Sequence, residues 1–314
     1  MNEEPTHFAL RPSDDLVKRA SKVVKANSAR KGEPAFHMTE DVRRLSTPWS
    51  VAQVRATQIE ATELPAGVIL DAAAGSGVQL VALTAGLKRP GLAIELDPNI
   101  GLLCAANMHS AGDSEDLQRS MDRVLVGDGT DAENAIVAYW NSLREAGTRA
   151  HPPIGMLHLD PARPRDAQRH EIDEMQPAIG PLMKAWSKHL EIGPRGPAVL
   201  LDLSPRLNED QRALVDATIE TTFPGITRTW EYLSQGGGRI DRLSVWIGSL
   251  SSKAPSRCVR MGRKKIMATI EGKITESEEV SMSKPPPFGA HLTIVDPALV
   301  QSGLQEAWLE RALP

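Results

Sequence analysis

The sequence predicts an α/β fold built on a mostly parallel sheet, on three observations. Short apolar runs alternate with segments of helical periodicity, the first run opens into a glycine-rich turn, and four successive runs end in an acid. Val68-Ile-Leu-Asp71 is a continuous apolar stretch of the kind buried on both faces of a parallel sheet. It leads into Ala72-Ala-Ala-Gly-Ser-Gly77, where two residues without side chains permit a tight turn and close approach of a ligand to the backbone. The helix that follows offers its N-terminus to a negative group.

Before that strand, Leu16, Val17, Ala20, Val23 and Val24 recur with helical spacing after Pro12-Ser13. Thr47 is expected to cap a helix that begins with Pro48 and runs through Val51, Val54 and Ile59. Helices are expected from Gly77 to Leu87 and from Pro98 to Ser110, with the strand Gly91-Leu-Ala-Ile-Glu95 between them. Arg123-Val-Leu-Val-Gly-Asp128 is a third strand, and Thr130-Asp-Ala-Glu133 reads as a capping box for a helix carrying Ile136, Tyr139, Trp140 and Leu143. Ile154 to Leu159 is a fourth strand running into Asp160-Pro-Ala-Arg163, followed by a polar loop to Gln176 and a helix around Pro177 to Leu190. Ala198 to Asp202 is a fifth strand, and Asn208 to Thr222 a helix. Two further strands, Ile226 to Leu233 and Leu243 to Ile247, flank Gly236-Gly-Gly238 and suggest an antiparallel hairpin. Trp49, Trp140, Trp186, Trp230 and Trp246 all sit among apolar residues and read as core.

The strand ends concentrate acids on one edge, where ligands bind in open α/β sheets. Glu95 lies 24 residues beyond Asp71, about the spacing at which a carboxylate meets a ribose hydroxyl pair in βαβ nucleotide folds. A dinucleotide-binding fingerprint would need a third glycine, and counted from Gly75 that position is Leu80.

These residues resemble the class I S-adenosylmethionine-dependent methyltransferases over roughly residues 47 to 249. The segment Asp71 to Gly77 looks like the cofactor motif of that superfamily, and Asp160-Pro-Ala-Arg163 like its acceptor-site motif. The resemblance implies a Rossmann-like, mostly parallel sheet with an antiparallel last strand. It implies S-adenosylmethionine as cofactor, held by Asp71, Ala73, Gly75, Gly77, Glu95 at the ribose and Asp128 at the adenine. Leu45-Ser-Thr-Pro48, Val51 to Ala56, the Asp-Pro-Ala-Arg motif and the tail from His291 to Gly303 are similar to prokaryotic methyltransferases with a C-terminal THUMP-like domain. RNA cap guanine-N2 methyltransferases are similar more distantly. This closer likeness implies RNA as substrate and leaves the methylated atom open.

Methyl transfer is an in-line displacement that needs positioning, proton removal and shielding from water, and no metal is called for. Asp160 is the catalytic candidate, placed past the fourth strand to accept a hydrogen bond from an amine. The resemblance gives Pro161 and the Ala162 backbone a part in shaping the acceptor pocket, and Arg163 stands where related enzymes have an aromatic residue. His158 shares strand parity with Asp160 and reads as a buried, hydrogen-bonded histidine ahead of a catalytic base. Carbon-5 pyrimidine chemistry needs a cysteine nucleophile near the acceptor motif, yet Cys104 and Cys258 fall elsewhere, which favours nitrogen or oxygen acceptors. Two other readings stay open: an inactive RNA-binding protein that retains the cofactor fold, and a methyltransferase of proteins or small molecules.

Composition bounds the rest. At 314 residues and 41% hydrophobic, the chain can fill a sizeable core without disulfide or zinc staples. Two cysteines, an acidic N-terminus and the lack of any long apolar run lead to the expectation of a cytoplasmic protein with no membrane span; the oligomeric state is left open. The net charge of -4 is uneven, with seven Lys or Arg between Lys253 and Lys273 against Glu271 alone. Arg257, Arg260, Arg263, Lys264 and Lys265 are therefore the expected RNA contacts. The small, polar stretch from Ser249 to Pro255 suggests a division into an N-terminal helical region (1–62), a cofactor-binding domain (63–250) and a small basic α+β domain (251–314).

Overall fold

Alternation of apolar side chains to both faces of each central strand produces a sheet covered by helices on two sides. The computed structural model describes residues 6–111, 117–162, 172–275, 285, 287–289 and 294–312. Its elements are β1 (Phe8–Leu10), α1 (Asp14–Val23), α2 (Glu40–Leu45), α3 (Trp49–Glu60), β2 (Val68–Asp71), α4 (Val78–Leu87), β3 (Gly91–Glu95) and α5 (Pro98–Ser110). These are followed by β4 (Arg123–Val126), α6 (Ala132–Glu145), β5 (Ile154–Leu159), α7 (Ile179–Ser187), β6 (Ala198–Leu203) and α8 (Glu209–Thr222). The chain continues through β7 (Arg228–Ser234), β8 (Arg242–Gly248), β9 (Ser256–Met261), β10 (Ile266–Gly272), α9 (Pro297–Gln301) and α10 (Gln305–Ala312).

The strands form one ten-stranded sheet in the order β1-β4-β3-β2-β5-β6-β8-β7-β9-β10. From β4 through β6 every pairing is parallel, and β8 runs antiparallel to both β6 and β7. This is the expected Rossmann-like arrangement with a reversed strand. Val68, Leu70, Leu92, Ile94, Leu157 and Leu159 face a core shared with α6, α7 and α8. Ile69, Ala93, Val124 and Met156 face the opposite core, shared with α1, α4 and α5. The period of two along each strand thus sends successive side chains into different layers.

Tertiary context shifts several local details. Asp131, not Thr130, caps α6 by accepting from the Asn134 N–H at 3.4 Å, because the Thr130 hydroxyl is already held by Asp128 at 2.8 Å. Glu133 faces outward and pairs with Lys188. Pro48, not Thr47, flanks the start of α3, and no side chain caps that helix. The N-terminal region supplies β1 as well as helices, since Phe8 to Leu10 pair antiparallel with β4. A three-residue strand carries no periodicity to read.

At the other end, β9 pairs parallel with β7 and β10 antiparallel with β9. The expected domain division at Ser249 to Pro255 coincides with the turn between β8 and β9, and the sheet's hydrogen bonding continues across it. Among the described residues no helix is long and apolar enough to cross a membrane.

Trp186 connects α7 to the β4–α6 turn. It is fully buried, and its indole N–H donates to the Gly129 carbonyl at 2.8 Å. Trp186→Ala is expected to destabilise the protein by about 3–5 kcal/mol through loss of buried surface and an unpaired carbonyl. Urea unfolding of the variant measures this, and a loss below about 1 kcal/mol would show that the site collapses around the gap.

Candidate active site

The parallel strands β2, β3, β4 and β5 end on one edge, and β2 lies between β3 and β5 where the winding reverses. There a cavity of about 530 Å³ opens, lined by the glycine turn, Glu95, Asp128, His158 and Asp160, and closed on its far side by Ser46, Thr47 and Gln176 to Ala178. It is the crevice at the topological switch point where α/β sheets place their ligands.

The two glycines of the turn have different tasks. Gly75 has φ +52°, and a Cβ added there would meet only open space. Gly77 has φ +75°, and its Cβ would press on Cys104 Sγ at 2.6 Å, so its smallness serves the packing of α4 on α5. Gly77 does not line the cavity, whereas Asp71, Ala73 and Gly75 do. Asp71 shapes the turn by accepting from the Ala73 N–H at 3.3 Å.

Glu95 accepts from the Gly75 N–H at 2.9 Å and the Asp97 N–H at 3.0 Å. Burial raises its pKa, while those two N–H groups pull the other way. Its carboxylate is therefore oriented across the turn by backbone donors. Asp128 is exposed at the end of β4, with one oxygen held by Thr130 and its carbonyl accepting the His7 ring N–H at 3.0 Å.

Beneath the cavity floor lies a buried chain of charges. His158 reaches Asp71 through Nδ1 at 2.9 Å and Asp202 through Nε2 at 3.2 Å. Arg55 grips both oxygens of Asp202 and also donates to Ser244 Oγ at 2.6 Å. All five side chains are nearly inaccessible. Burial works against the charge on His158, but the Asp71 and Asp202 carboxylates outweigh it and raise the pKa to about 10. Burial likewise opposes the charge on Asp202, and Arg55 with His158 holds that carboxyl well below its usual range. An imidazolium between two carboxylates, the second clamped by a guanidinium, leaves the set neutral. Sequence reasoning placed His158 as a buried, bonded residue but missed Arg55, because its partner lies 147 residues away.

Asp160 follows directly and lines the cavity. Burial and the Asp202 carboxylate push its pKa up to about 6, against the pull of His158, Arg242 and Arg55. Among the described residues no hydrogen bond occupies its carboxylate. Pro161 lines a separate small void with Ala73, Leu159, Pro177, Ile179 and Leu182, while Ala162 lines the cavity itself. Arg163 lies outside the described residues.

Among the described residues, two buried polar atoms of cavity-lining side chains have no hydrogen-bond partner: Thr47 Oγ1 and Gln79 Nε2. An unpaired buried donor or acceptor costs about 1–3 kcal/mol, so each suits a polar ligand that would complete it. Neither was legible in the sequence, where Thr47 read as a helix cap. The open cradle at Gly75, the oriented Glu95 carboxylate and these two atoms together fit a ligand with a ribose and a zwitterionic tail, as S-adenosylmethionine has.

The expected RNA contacts separate into two groups. Arg257 is buried, paired with Glu231 and Glu271 and stacked on Trp246, and Arg260 pairs with Asp296 at 2.6 Å. Arg257 thus serves the fold, because a guanidinium enclosed by two carboxylates has no charge left for a phosphate. Arg263, Lys264 and Lys265 are exposed in the turn between β9 and β10. Among the described residues no cluster of three or more His, Cys, Asp or Glu could hold a metal ion.

No protein-family profile matches the chain, and no curated protein matches its sequence. Among solved structures it is similar to a candidate methyltransferase from Porphyromonas gingivalis W83, at TM-score 0.49 and 14% identity, covering 87% of this chain and 59% of that one. It thus spans less than two thirds of that chain's length. It is also similar to the O-methyltransferase from Bacillus cereus in complex with SAH, at TM-score 0.38 and 15% identity, covering 76% of this chain and 93% of that one. A third similarity is to the precorrin-6y C5,15-methyltransferase from Geobacter metallireducens GS-15, at TM-score 0.40 and 12% identity, covering 69% of this chain and 94% of that one. Likenesses this remote do not decide an activity.

The raised pKa of His158 makes stability depend on pH. Between the unfolded value of 6.5 and the folded value of about 10, the native state keeps a proton that the unfolded state has released, so this contribution falls as pH rises. His158→Gln is expected to cost about 3–5 kcal/mol at pH 6, because it breaks a buried ion network, and progressively less toward pH 10. Urea denaturation of both proteins across that range tests the assignment, and a difference independent of pH would mean that His158 is neutral.

Proposed function

We propose that the protein is an S-adenosylmethionine-dependent methyltransferase acting on a nitrogen or oxygen of an RNA nucleotide. The observation that carries the cofactor is the cavity at the strand ends, where Gly75 leaves open space beside the Glu95 carboxylate. Asp71 and Ala73 shape the turn, Glu95 accepts the ribose hydroxyl protons, and the free oxygen of Asp128 accepts from the adenine amine. Thr47 and Gln79 serve the amino-acid end.

When bound, the cofactor supplies a methyl group on a sulfonium, open to in-line attack. Asp160 stands at the acceptor side and accepts a hydrogen bond from the attacking amine or hydroxyl, orienting its lone pair and receiving the proton as the new bond forms. Its pKa of about 6 keeps it ionised at neutral pH while leaving it more basic than an ordinary aspartate. The Thr47 and Gln176 to Ala178 walls shield the site from water.

Support for RNA comes from strand direction. β9 is parallel to β7, which runs with β6 and the central strands, so the turn carrying Arg263, Lys264 and Lys265 emerges on the same edge as the cavity. Exposed cations on that edge suit a polyanion reaching into the site.

Calorimetry with S-adenosylhomocysteine tests the cofactor. Gly75→Arg is expected to abolish binding by filling the cradle, and Glu95→Ala to weaken it by about 1–3 kcal/mol through loss of the ribose acceptor. Unchanged affinity in both folded variants would overturn the cofactor site.

Asp160→Asn separates fold from chemistry. Because the folded carboxyl has a pKa of about 6 against 3.8 unfolded, its ionisation works against the fold as pH rises through that window. The variant is expected to be more stable than wild type at pH 7, to bind cofactor normally and to lose methyl transfer on the order of 100-fold. Thermal melting and transfer of labelled methyl groups into RNA measure the two effects, and wild-type turnover would reassign catalysis.

A further inference from the structure

A second cleft, of about 420 Å³, opens beside the cavity between the start of α3 and the β7–β8 turn. Pro48, Val51 and Ile240 form its apolar floor, and Arg30, Arg239 and Arg242 stand around it with Gln235 and Asp241. Asp241 is the one acid among these residues and is already engaged, pairing with Arg239 at 3.1 Å and accepting from the Gln235 N–H at 2.6 Å. Three guanidinium groups against one carboxylate leave the cleft positive.

Arg242 is the informative side chain. Its terminal nitrogens donate to the carbonyls of Ser46 and Asp241, each at 3.3 Å, and its Nε is buried without a hydrogen-bond partner among the described residues. A desolvated N–H of this kind at a cleft wall calls for an anionic acceptor, and a planar guanidinium suits phosphate oxygens. The hydrogen bond to Ser46 also makes Arg242 part of the partition between the two cavities, since Ser46 and Thr47 line the first while Pro48 and Val51 line the second.

The cleft is also continuous with the exposed cations of the C-terminal strands. β7 and β9 are neighbours in the sheet, so the turn after β7, carrying Gln235 to Arg239, lies next to the turn after β9, carrying Arg263 to Lys265. Gly236 records the contact, because a Cβ there would fall 2.4 Å from a guanidinium nitrogen of Arg260. A line of positive charge therefore runs from the acceptor side of the active site across two turns to the sheet edge. One isolated anion would use a single station on that line, whereas a phosphodiester chain uses all of it.

We propose that this cleft holds the phosphodiester adjoining the methylated nucleotide of a single-stranded RNA, with Arg242 at its base and Arg30 and Arg239 at its mouth. The proposal rests on the methyltransferase reading above and adds the route by which the acceptor reaches Asp160.

The test is fluorescence anisotropy of a short, labelled, mixed-sequence single-stranded RNA titrated with protein over a range of salt. The double variant Arg30→Gln/Arg239→Gln is expected to bind more weakly and to flatten the log-log salt slope by about 1.4, the amount for two single-strand phosphate contacts. Arg242→Lys keeps the charge and loses the planar fork, and is expected to weaken RNA binding with a nearly unchanged slope. Lys18→Gln/Lys22→Gln removes the same charge from the exposed face of α1 and is expected to leave both affinity and slope as in wild type. Calorimetry with S-adenosylhomocysteine on every preparation keeps the two readings apart. Wild-type protein that binds S-adenosylhomocysteine but no RNA at low salt overturns the cleft and leaves the cofactor site standing. Unchanged slope and affinity in the Arg30/Arg239 variant, or an equal loss in the Lys18/Lys22 variant, also overturns the cleft. Absence of S-adenosylhomocysteine binding in wild type overturns the methyltransferase reading itself.

Discussion

The buried relay Arg55–Asp202–His158–Asp71 is the constraint on which the site depends. It joins α3, β6, β5 and β2 and is closed by Ser244 from β8, so it ties the parallel core to the reversed strand and to the helix leading into the sheet. Four formal charges out of water are costly individually, and they are tolerable together because every charge meets an opposite one with good hydrogen-bond geometry. Such an arrangement tolerates little displacement. A shift of β5 by one residue would turn His158 to the other face of the sheet, leaving Asp71 without its charged partner and Asp202 with Arg55 alone.

Both ends of the relay bear on chemistry. Asp71 uses one oxygen for His158 and the other for the backbone of the glycine turn, so the register of the sheet is transmitted to the turn that lines the cavity. At the middle, burial and the Asp202 carboxylate raise the Asp160 pKa and His158 lowers it, which leaves it at about 6. The acid at the cavity is thus tuned by its charged neighbours as well as by burial. The structure accepts some instability at Asp160 in exchange for a more basic carboxylate.

The distribution of positive charge shows how folding re-sorts a sequence cluster. The five cations from Arg257 to Lys265 look equivalent along the chain, but strand alternation and packing divide them. Arg257 turns inward to Glu231 and Trp246, Arg260 is exposed but matched by Asp296 from the C-terminal segment, and the turn residues Arg263, Lys264 and Lys265 stay exposed. Meanwhile Arg30, Arg239 and Arg242, two of them more than 200 residues from the first, converge on one cleft beside the cavity.

The sequence by itself determined the alternation of strands and helices, the reversed strand, the glycine turn and the convergence of acids on one edge. Each of these follows from short-range rules: apolar periodicity, glycine conformational freedom and the direction imposed by parallel connections. It also placed Asp160 and Glu95 correctly at strand ends, since a residue just past a buried strand must emerge there. Only the tertiary structure decided that Gly77 serves helix packing while Gly75 faces the cavity, that Thr47 lines the cavity and caps nothing, that β1 and β9–β10 extend the same sheet, and that Arg55 neutralises Asp202. The physical reason is common to all four. Each depends on contacts between segments far apart in the chain, where the partner of a side chain is set by sheet order and packing, and no local pattern records which distant residue will be there.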